Sequence, residues 1–313
     1  MLFFAMNMGA SGIAPAFAGM YGGRMIKKRK ALLLFPIFVI LGAILMGRNV
    51  ALTLGKSLLP AGLISFDAAL IILASAALSL FLANILKIPQ STSQVTVGAA
   101  VGAGLYLGHL NTDTLFLKIL PLWIVLPLAS YLLTFLLYRK IYTPEHDNLH
   151  IYQKIFANKK KMKLTALIAS CYVAFAIGTN NVANAVGPLY GAGILGINTG
   201  LMLIAPLFGI GAWLLGKGTL ETVGREIVPL GPVSGTLVSF VTASLLIFAS
   251  SLGIPQSLVQ LNLAAIFSIS CVKNGHRHTL DQHLTRKTFL VWAVTPLISI
   301  GVSYLLLSLF LRK

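Results

Sequence analysis

Ten long, mostly apolar runs divide this chain, at residues 1–23, 31–47, 66–86, 89–108, 117–138, 164–192, 197–216, 233–252, 255–272 and 288–311. A bilayer core about 30 Å thick is crossed by about 20 apolar residues in helical form. In hydrocarbon every backbone N–H and C=O needs an internal partner, and a helix supplies these within a single segment. The fold class that follows is an all-α integral membrane protein. Only 10% of the 313 residues are charged, where a soluble domain carries about 25%. The longest polar stretch, 139–163, is too short and too charged to enclose a core. The first run reads as a membrane span rather than a secretory signal, because no basic residue precedes it. Cys171 and Cys271 fall in or at the end of apolar runs and imply no disulfide.

The formal net charge of +17 would suit a nucleic-acid binder only if the cations shared one soluble face. They are instead sorted by loop. With ten crossings and the N-terminus outside, nineteen of the 24 Lys and Arg residues lie on one side, in 24–30, at Lys87, in 139–163, at Lys217 and Arg225, and in 273–287. Such a bias marks the cytoplasmic face. It orients a multi-pass protein of the cell membrane with both termini outside, partnered by the lipid bilayer and not by nucleic acid. Segments 66–86 and 89–108 read either as two crossings or as one re-entrant hairpin. Both versions leave the remaining loops on the same sides.

Sliding the sequence by 169 residues places Gly9-Ala-Ser-Gly-Ile-Ala-Pro-Ala on Gly178-Thr-Asn-Asn-Val-Ala-Asn-Ala. The same offset pairs Tyr21-Gly22 with Tyr190-Gly191, Gly42-Ala43 with Gly211-Ala212, Gly47 with Gly216 and Pro60 with Pro229. After a three-residue slip, Ile88-Pro-Gln-Ser-Thr-Ser-Gln lies on Ile254-Pro-Gln-Ser-Leu-Val-Gln. The chain therefore reads as a first repeat (1–138), a basic linker (139–163) and a second repeat (164–313). Each repeat has about five segments, an odd number, so the topologies are inverted. Transporters of this kind bind substrate near the midplane where the repeats meet.

Two motifs per repeat carry the polar groups. Gly178–Pro188 places Asn180, Asn181 and Asn184 inside an apolar run. Helix packing through small residues accounts for its glycines and alanines, but not for three buried asparagines. With flanking glycines, the motif predicts a discontinuous helix whose free N–H groups face an anion. Its counterpart is Asn7–Pro15, where Ser11 and Gly12 are the candidates and Pro15 removes an N–H. The second motif, Ile88–Gly98, has Pro89 at a helix start followed by Ser91, Thr92, Ser93 and Gln94. Those hydroxyls and N–H groups form either an anion cradle or an ordinary helix cap. The matching tip, Gly253–Gln260, keeps Ser257 but has Leu258 and Val259 in place of the other two hydroxyls.

Gly178–Pro188 resembles the GANDVANA signature of the inorganic phosphate transporter (PiT) family, and Pro89–Gly98 resembles that family's PVSTTH–VGA signature. Each recurs once per half, over essentially the whole chain. The opening Phe3–Gly12 is most similar to the sulfate-permease (CysP-type) branch. The resemblance implies an oxyanion site between two broken helices and two Pro-Ser tips, built from Ser11, Gly12, Ser91, Thr92, Ser93, Gln94, Asn180, Asn181, Asn184 and Ser257. The family's aspartate is Asn181 in one half and Gly12 in the other, its asparagine is Ser11 in the first half, and its histidine is Gln94. The missing carboxylates argue against sodium coupling and leave proton coupling open.

Hydrogen phosphate keeps a proton at neutral pH and wants an acceptor, whereas sulfate only accepts hydrogen bonds. An acid-free site therefore points to sulfate, carried by a secondary transporter working by alternating access. Phosphate symport is the alternative, and thiosulfate, selenate, molybdate and chromate share sulfate's shape and charge. An enzyme is not expected. The seven acids, Asp67, Asp113, Glu145, Asp147, Glu221, Glu226 and Asp281, pair with no histidine inside an apolar run. No cofactor or metal is implied. His276, His278, Asp281 and His283 read as a solvated loop, Lys87 as a snorkelling side chain and Asp67 as an interfacial cap. A homodimer is compatible with this reading. Epitope tags in 24–30, 139–163 and 273–287 should all report the cytoplasm; access to any of them from outside intact cells would refute the assignment of sides.

Overall fold

The computed structural model describes residues 1–60, 62–85, 91–142, 158–216, 218, 220, 231–281 and 283–311. Every apolar run becomes helix, and among the described residues there is no strand. The first half comprises α1 (Leu2–Gly22), α2 (Lys28–Met46), the short α3 (Arg48–Leu52), α4 (Phe66–Ile85), α5 (Thr92–Leu107) and α6 (Leu120–Tyr142). Wide π-type turns, Thr53–Ser57 and Thr114–Ile119, follow α3 and lead into α6. The second half comprises α7 (Lys159–Gly191), α8 (Ile197–Leu214), α9 (Gly231–Ser251), α10 (Leu258–Asn274), the short α11 (His276–Asp281) and α12 (His283–Phe310). Among the described residues seven helical stretches are long and apolar enough to cross a membrane, in α1, α2, α6 with its leading turn, α7, α8, α9 and α12. The remaining expected runs are α4, α5 and α10.

Two of these, α4 and α5, cover the segments whose crossing the sequence left open. α4 packs on α5, and α9 on α10, so each pair is a helical hairpin. The tips, at Ser91 and Ser257, face the middle of α7 rather than either end. The contact point, Asn180, lies about 16 Å of helix from the end of α7 at Gly191. The described starts of α5 and α10 therefore lie beside the middle of α7.

The packing reproduces the 169-residue repeat. α1 lies on α8 as α2 lies on α7, and α5 lies on α12 as α10 lies on α6. Within those contacts four glycines let backbones touch. A Cβ built on Gly9 would lie 2.1 Å from the Phe208 carbonyl oxygen, and one on Gly178 would lie 2.1 Å from that of Val39. Gly42 meets the Phe175 oxygen at 2.0 Å, and Gly211 the Met6 oxygen at 1.9 Å. Adding 169 to the first member of each pair produces the second. Likewise Ser130 donates to the Leu261 carbonyl at 2.8 Å and Ser299 to the Val95 carbonyl at 2.6 Å. Helices in lipid gain little from hydrophobic burial against one another, so such close approach is what holds them.

Three expectations need correction. The helices carrying the asparagine and Ser11–Gly12 motifs are not broken: α7 is continuous over 33 residues and α1 over 21, with Pro188 and Pro15 inside them. The i→i−4 ladder is the best bonding available to a dry backbone, and the glycines serve helix contact rather than a break. Helix is interrupted instead at the second tip, between Ser251 and Leu258. Second, helix invades the expected 139–163 linker from both ends, to Tyr142 and from Lys159; 143–157 lie outside the described residues. Third, the stretch 273–287, read as a loop, is largely helical in α11 and the start of α12. Asp67 is exposed in the first turn of α4, as expected of an interfacial residue. Lys87, Pro89 and Gln90 lie outside the described residues.

Gly178→Ala and Gly211→Ala should each destabilise by about 1–3 kcal/mol or more, because the methyl group would overlap a neighbouring carbonyl. Gly19→Ala, with nothing within 4 Å of its Cβ position, should not. Thermal unfolding in detergent checks this; an unshifted Tm for Gly178→Ala would remove the close-packing explanation.

Candidate functional site

The middle of α7 presents Thr179, Asn180 and Asn184, each fully buried, and Asn181, 7% exposed. Both tips close on them. Each tip begins its helix with a capping serine: Ser91 Oγ accepts the Gln94 N–H at 3.2 Å, and Ser257 Oγ accepts the Gln260 N–H at 3.1 Å. The cap satisfies an N–H that a helix start would otherwise leave bare.

Asn180 holds the second tip. Its amide nitrogen donates to Ser250 Oγ and to the Ile254 carbonyl, both at 2.9 Å, and its oxygen accepts the Gln256 N–H at 3.1 Å. Trp123 Nε1 donates to the Pro255 carbonyl at 2.9 Å, and Ser93 Oγ to the Gln256 carbonyl at 3.0 Å. Three consecutive tip carbonyls thus each receive a donor, from α7, α6 and α5. Ser93 also accepts from Asn184 Nδ2 at 3.2 Å, with Thr92 Oγ1 at 3.5 Å from the same nitrogen. The two tips and α7 form one hydrogen-bonded unit. Trp292 stands 169 residues after Trp123, at the matching place in the second half.

Several buried polar atoms in this unit have no hydrogen-bond partner. They are Asn181 Oδ1, Asn184 Oδ1, Gln260 Oε1 and both ends of the Gln256 amide. Such atoms are rare in folded proteins, and five of them gather on four residues of α7 and the second tip. Among the described residues the side chains of this unit are hydroxyls, amides and one indole, with no Asp or Glu among them.

Of the sequence-derived candidates, hydrogen bonds tie Thr92, Ser93, Asn180 and Asn184 together, Ser91 and Ser257 cap the two tips, and Gln94 and Asn181 are buried on α5 and α7. The structure does not bring in Ser11 or Gly12. The Ser11 hydroxyl returns to the Met8 carbonyl of its own helix at 3.1 Å, and Gly12 faces Phe35 and Ile177. Sequence reasoning missed Gln256, Gln260, Ser250 and Trp123. The repeated Pro-Gln-Ser-x-x-Gln pattern was the available signal for the glutamines; nothing in the sequence places Ser250 or Trp123 at the tip. His276 packs against the Phe135 ring, centroids 5.6 Å apart, and no metal cluster is found among the described residues.

Apolar helices long enough to span a membrane surround two tips that meet α7 in a buried polar unit, the architecture of a multi-pass membrane protein. The phosphate transporter family model matches residues 8–303, and the chain belongs to that family. It is 39% identical to the sulfate permease CysP of Bacillus subtilis, over 99% of this chain and 86% of the permease. It is 29% identical to sodium-dependent phosphate transporter 1-A of Danio rerio and 27% to sodium-dependent phosphate transporter 1 of Homo sapiens. Those matches span 46% of this chain and only 24% and 22% of the two relatives. A solved sodium-dependent phosphate transporter superposes with a TM-score of 0.83 at 23% identity, covering 99% of this chain and 97% of that one.

Asn180→Ala would strip donors and an acceptor from buried tip groups, each worth about 1–3 kcal/mol when left unsatisfied. Backbone hydrogen exchange across 251–257 should accelerate at least tenfold. Exchange as slow as in the parent would show that Asn180 does not hold the tip.

Proposed function

We propose that this protein is a sulfate permease of the cell membrane, with sulfate bound among the two tips and the middle of α7. Ser91, Thr92, Ser93, Gln94, Asn180, Asn181, Asn184 and Ser257 are its neighbours, and Ser11 and Gly12 play no direct part. The halves are inverted and exchange access to the two sides, with both termini outside. The observation that carries this reading is that the buried polar unit is built of hydroxyls and amides, with no acid among the described residues. Sulfate is a dianion without a proton, so hydroxyls, amide N–H groups and helix N-termini suit it and a carboxylate repels it. The similarity to a sulfate permease over nearly the full chain supports the same reading. Asn181 occupies the position where the resemblance places an aspartate, which favours transport without sodium, by proton coupling or facilitation.

One observation favours hydrogen phosphate instead. The unpartnered atoms of Asn181 and Asn184 are oxygens, and an acceptor suits an anion that still has a proton. A half-turn of the Asn181 amide exchanges its oxygen and nitrogen, so the same residue can serve either anion.

Uptake of labelled sulfate into proteoliposomes, with phosphate and thiosulfate as competitors, decides between them. Sulfate uptake should persist when choline replaces sodium. Asn181→Asp should lower it at least a hundredfold, because unit charges about 4 Å apart at an effective dielectric of about 20 repel by about 4 kcal/mol. Undiminished sulfate uptake by Asn181→Asp at normal expression would place Asn181 away from the anion. Phosphate uptake that needs sodium would overturn the sulfate reading.

A further inference from the structure

A cavity of about 190 Å³ lies between α1, the start of α7, α9 and α10. It is lined by Ser170, Thr236, Ser239 and Asn262 as well as apolar groups. The backbone faces of Gly19 and Gly235 border it, and a Cβ on either would have nothing within 4 Å. Asn262 is five residues past the tip serine Ser257, about 7.5 Å along α10, so the cavity ends just beneath the polar unit. At its other end it shares Met20 and Met25 with a wider vestibule of about 780 Å³. Arg24, Lys27, Lys30 and Lys163 line that vestibule, with no acid lining it among the described residues.

We propose that these two spaces are the cytoplasmic leg of the anion path. The four cations collect or release anion at the mouth, Met20 and Met25 form the neck, and the polar cleft leads to the second tip. The proposal rests on the transport function above and goes beyond it by assigning the route. Two features argue for water rather than lipid in the cleft. Hydroxyl and amide groups project into it from three helices, where a lipid-facing groove would be apolar. Its mouth also concentrates one sign of charge between low-dielectric walls, an arrangement that raises local anion concentration and speeds entry 10- to 1000-fold. At the opposite end of α7, among the described residues, the pocket of about 420 Å³ is lined by one cation, Lys56, which lies over the Tyr190 ring, 4.6 Å from its centroid.

The test uses single cysteines in a Cys171→Ala, Cys271→Ala background. Gly235→Cys adds a side chain into open space and Ser239→Cys reports one turn deeper, so neither disturbs packing. Each is treated with two methanethiosulfonates of similar size, one anionic (sulfonatoethyl) and one cationic (trimethylammonioethyl), with rates referred to those of mercaptoethanol. Both sites should react, from the cytoplasmic side only, with the corrected anion-to-cation rate ratio at least tenfold above unity at low salt. The ratio should collapse in 0.5 M NaCl, and in Lys30→Gln/Lys163→Gln. Three outcomes would overturn the proposal: modification only by a lipid-soluble maleimide, access from the outside, or no charge preference. Labelling does not depend on which anion is carried, so its failure removes the route and leaves the tip site standing. Failure of sulfate uptake with the expected labelling would remove the sulfate reading and leave the route.

Discussion

The structure turns on how a helical hairpin can end inside a dry interior. A tip at mid-membrane exposes carbonyls that no intrahelical bond reaches, and each would cost several kcal/mol without a partner. Here Ile254, Pro255 and Gln256 each receive a donor, from Asn180, Trp123 and Ser93. The donors come from three elements, so the tip is stable only when α5, α6 and α7 are already in place around it. Binding geometry and folding are therefore the same problem at this point. Asn180, the residue that looks most like a ligand contact in the sequence, is engaged in holding the chain.

The same reasoning explains where partners are absent. Hydrogen bonds in the unit are crowded on the framework groups and missing from Asn181 Oδ1, Asn184 Oδ1, Gln260 Oε1 and the Gln256 side-chain amide. A site for a changing occupant needs groups that remain available, while the scaffold around it needs groups that do not. Division of labour within one motif follows: Asn180 ties, and Asn181, one residue on, stays unengaged through its oxygen.

Around this unit the helices are held by contacts that need the absence of side chains. Gly9, Gly42, Gly178 and Gly211 each press on a carbonyl of the other half, so the two repeats interlock rather than sit side by side. An interface of this kind tolerates sliding only as a rigid body, which suits a mechanism in which one part moves against another.

Much of this was legible in the sequence because its signals are local. Helix number and type follow from run length, since hydrocarbon admits only internally bonded segments. The 169-residue offset recorded the two-fold relation of the contacts, since equivalent backbone approaches need glycine at equivalent positions. The Pro-Ser tips were legible through capping chemistry at Ser91 and Ser257. Continuity of α1 and α7 was not, because a buried asparagine inside an apolar run marks a helix break and a side chain reaching a neighbour equally well. Only the tertiary arrangement decides between them, by supplying the partner: Ser250, Ile254 and Gln256 are seventy or more residues from Asn180. It also set Ser11 and Gly12 apart from the unit. Sequence alone determined what must be buried and where the chain must turn; which polar groups are tied and which stay unpartnered depends on distances between segments remote along the chain.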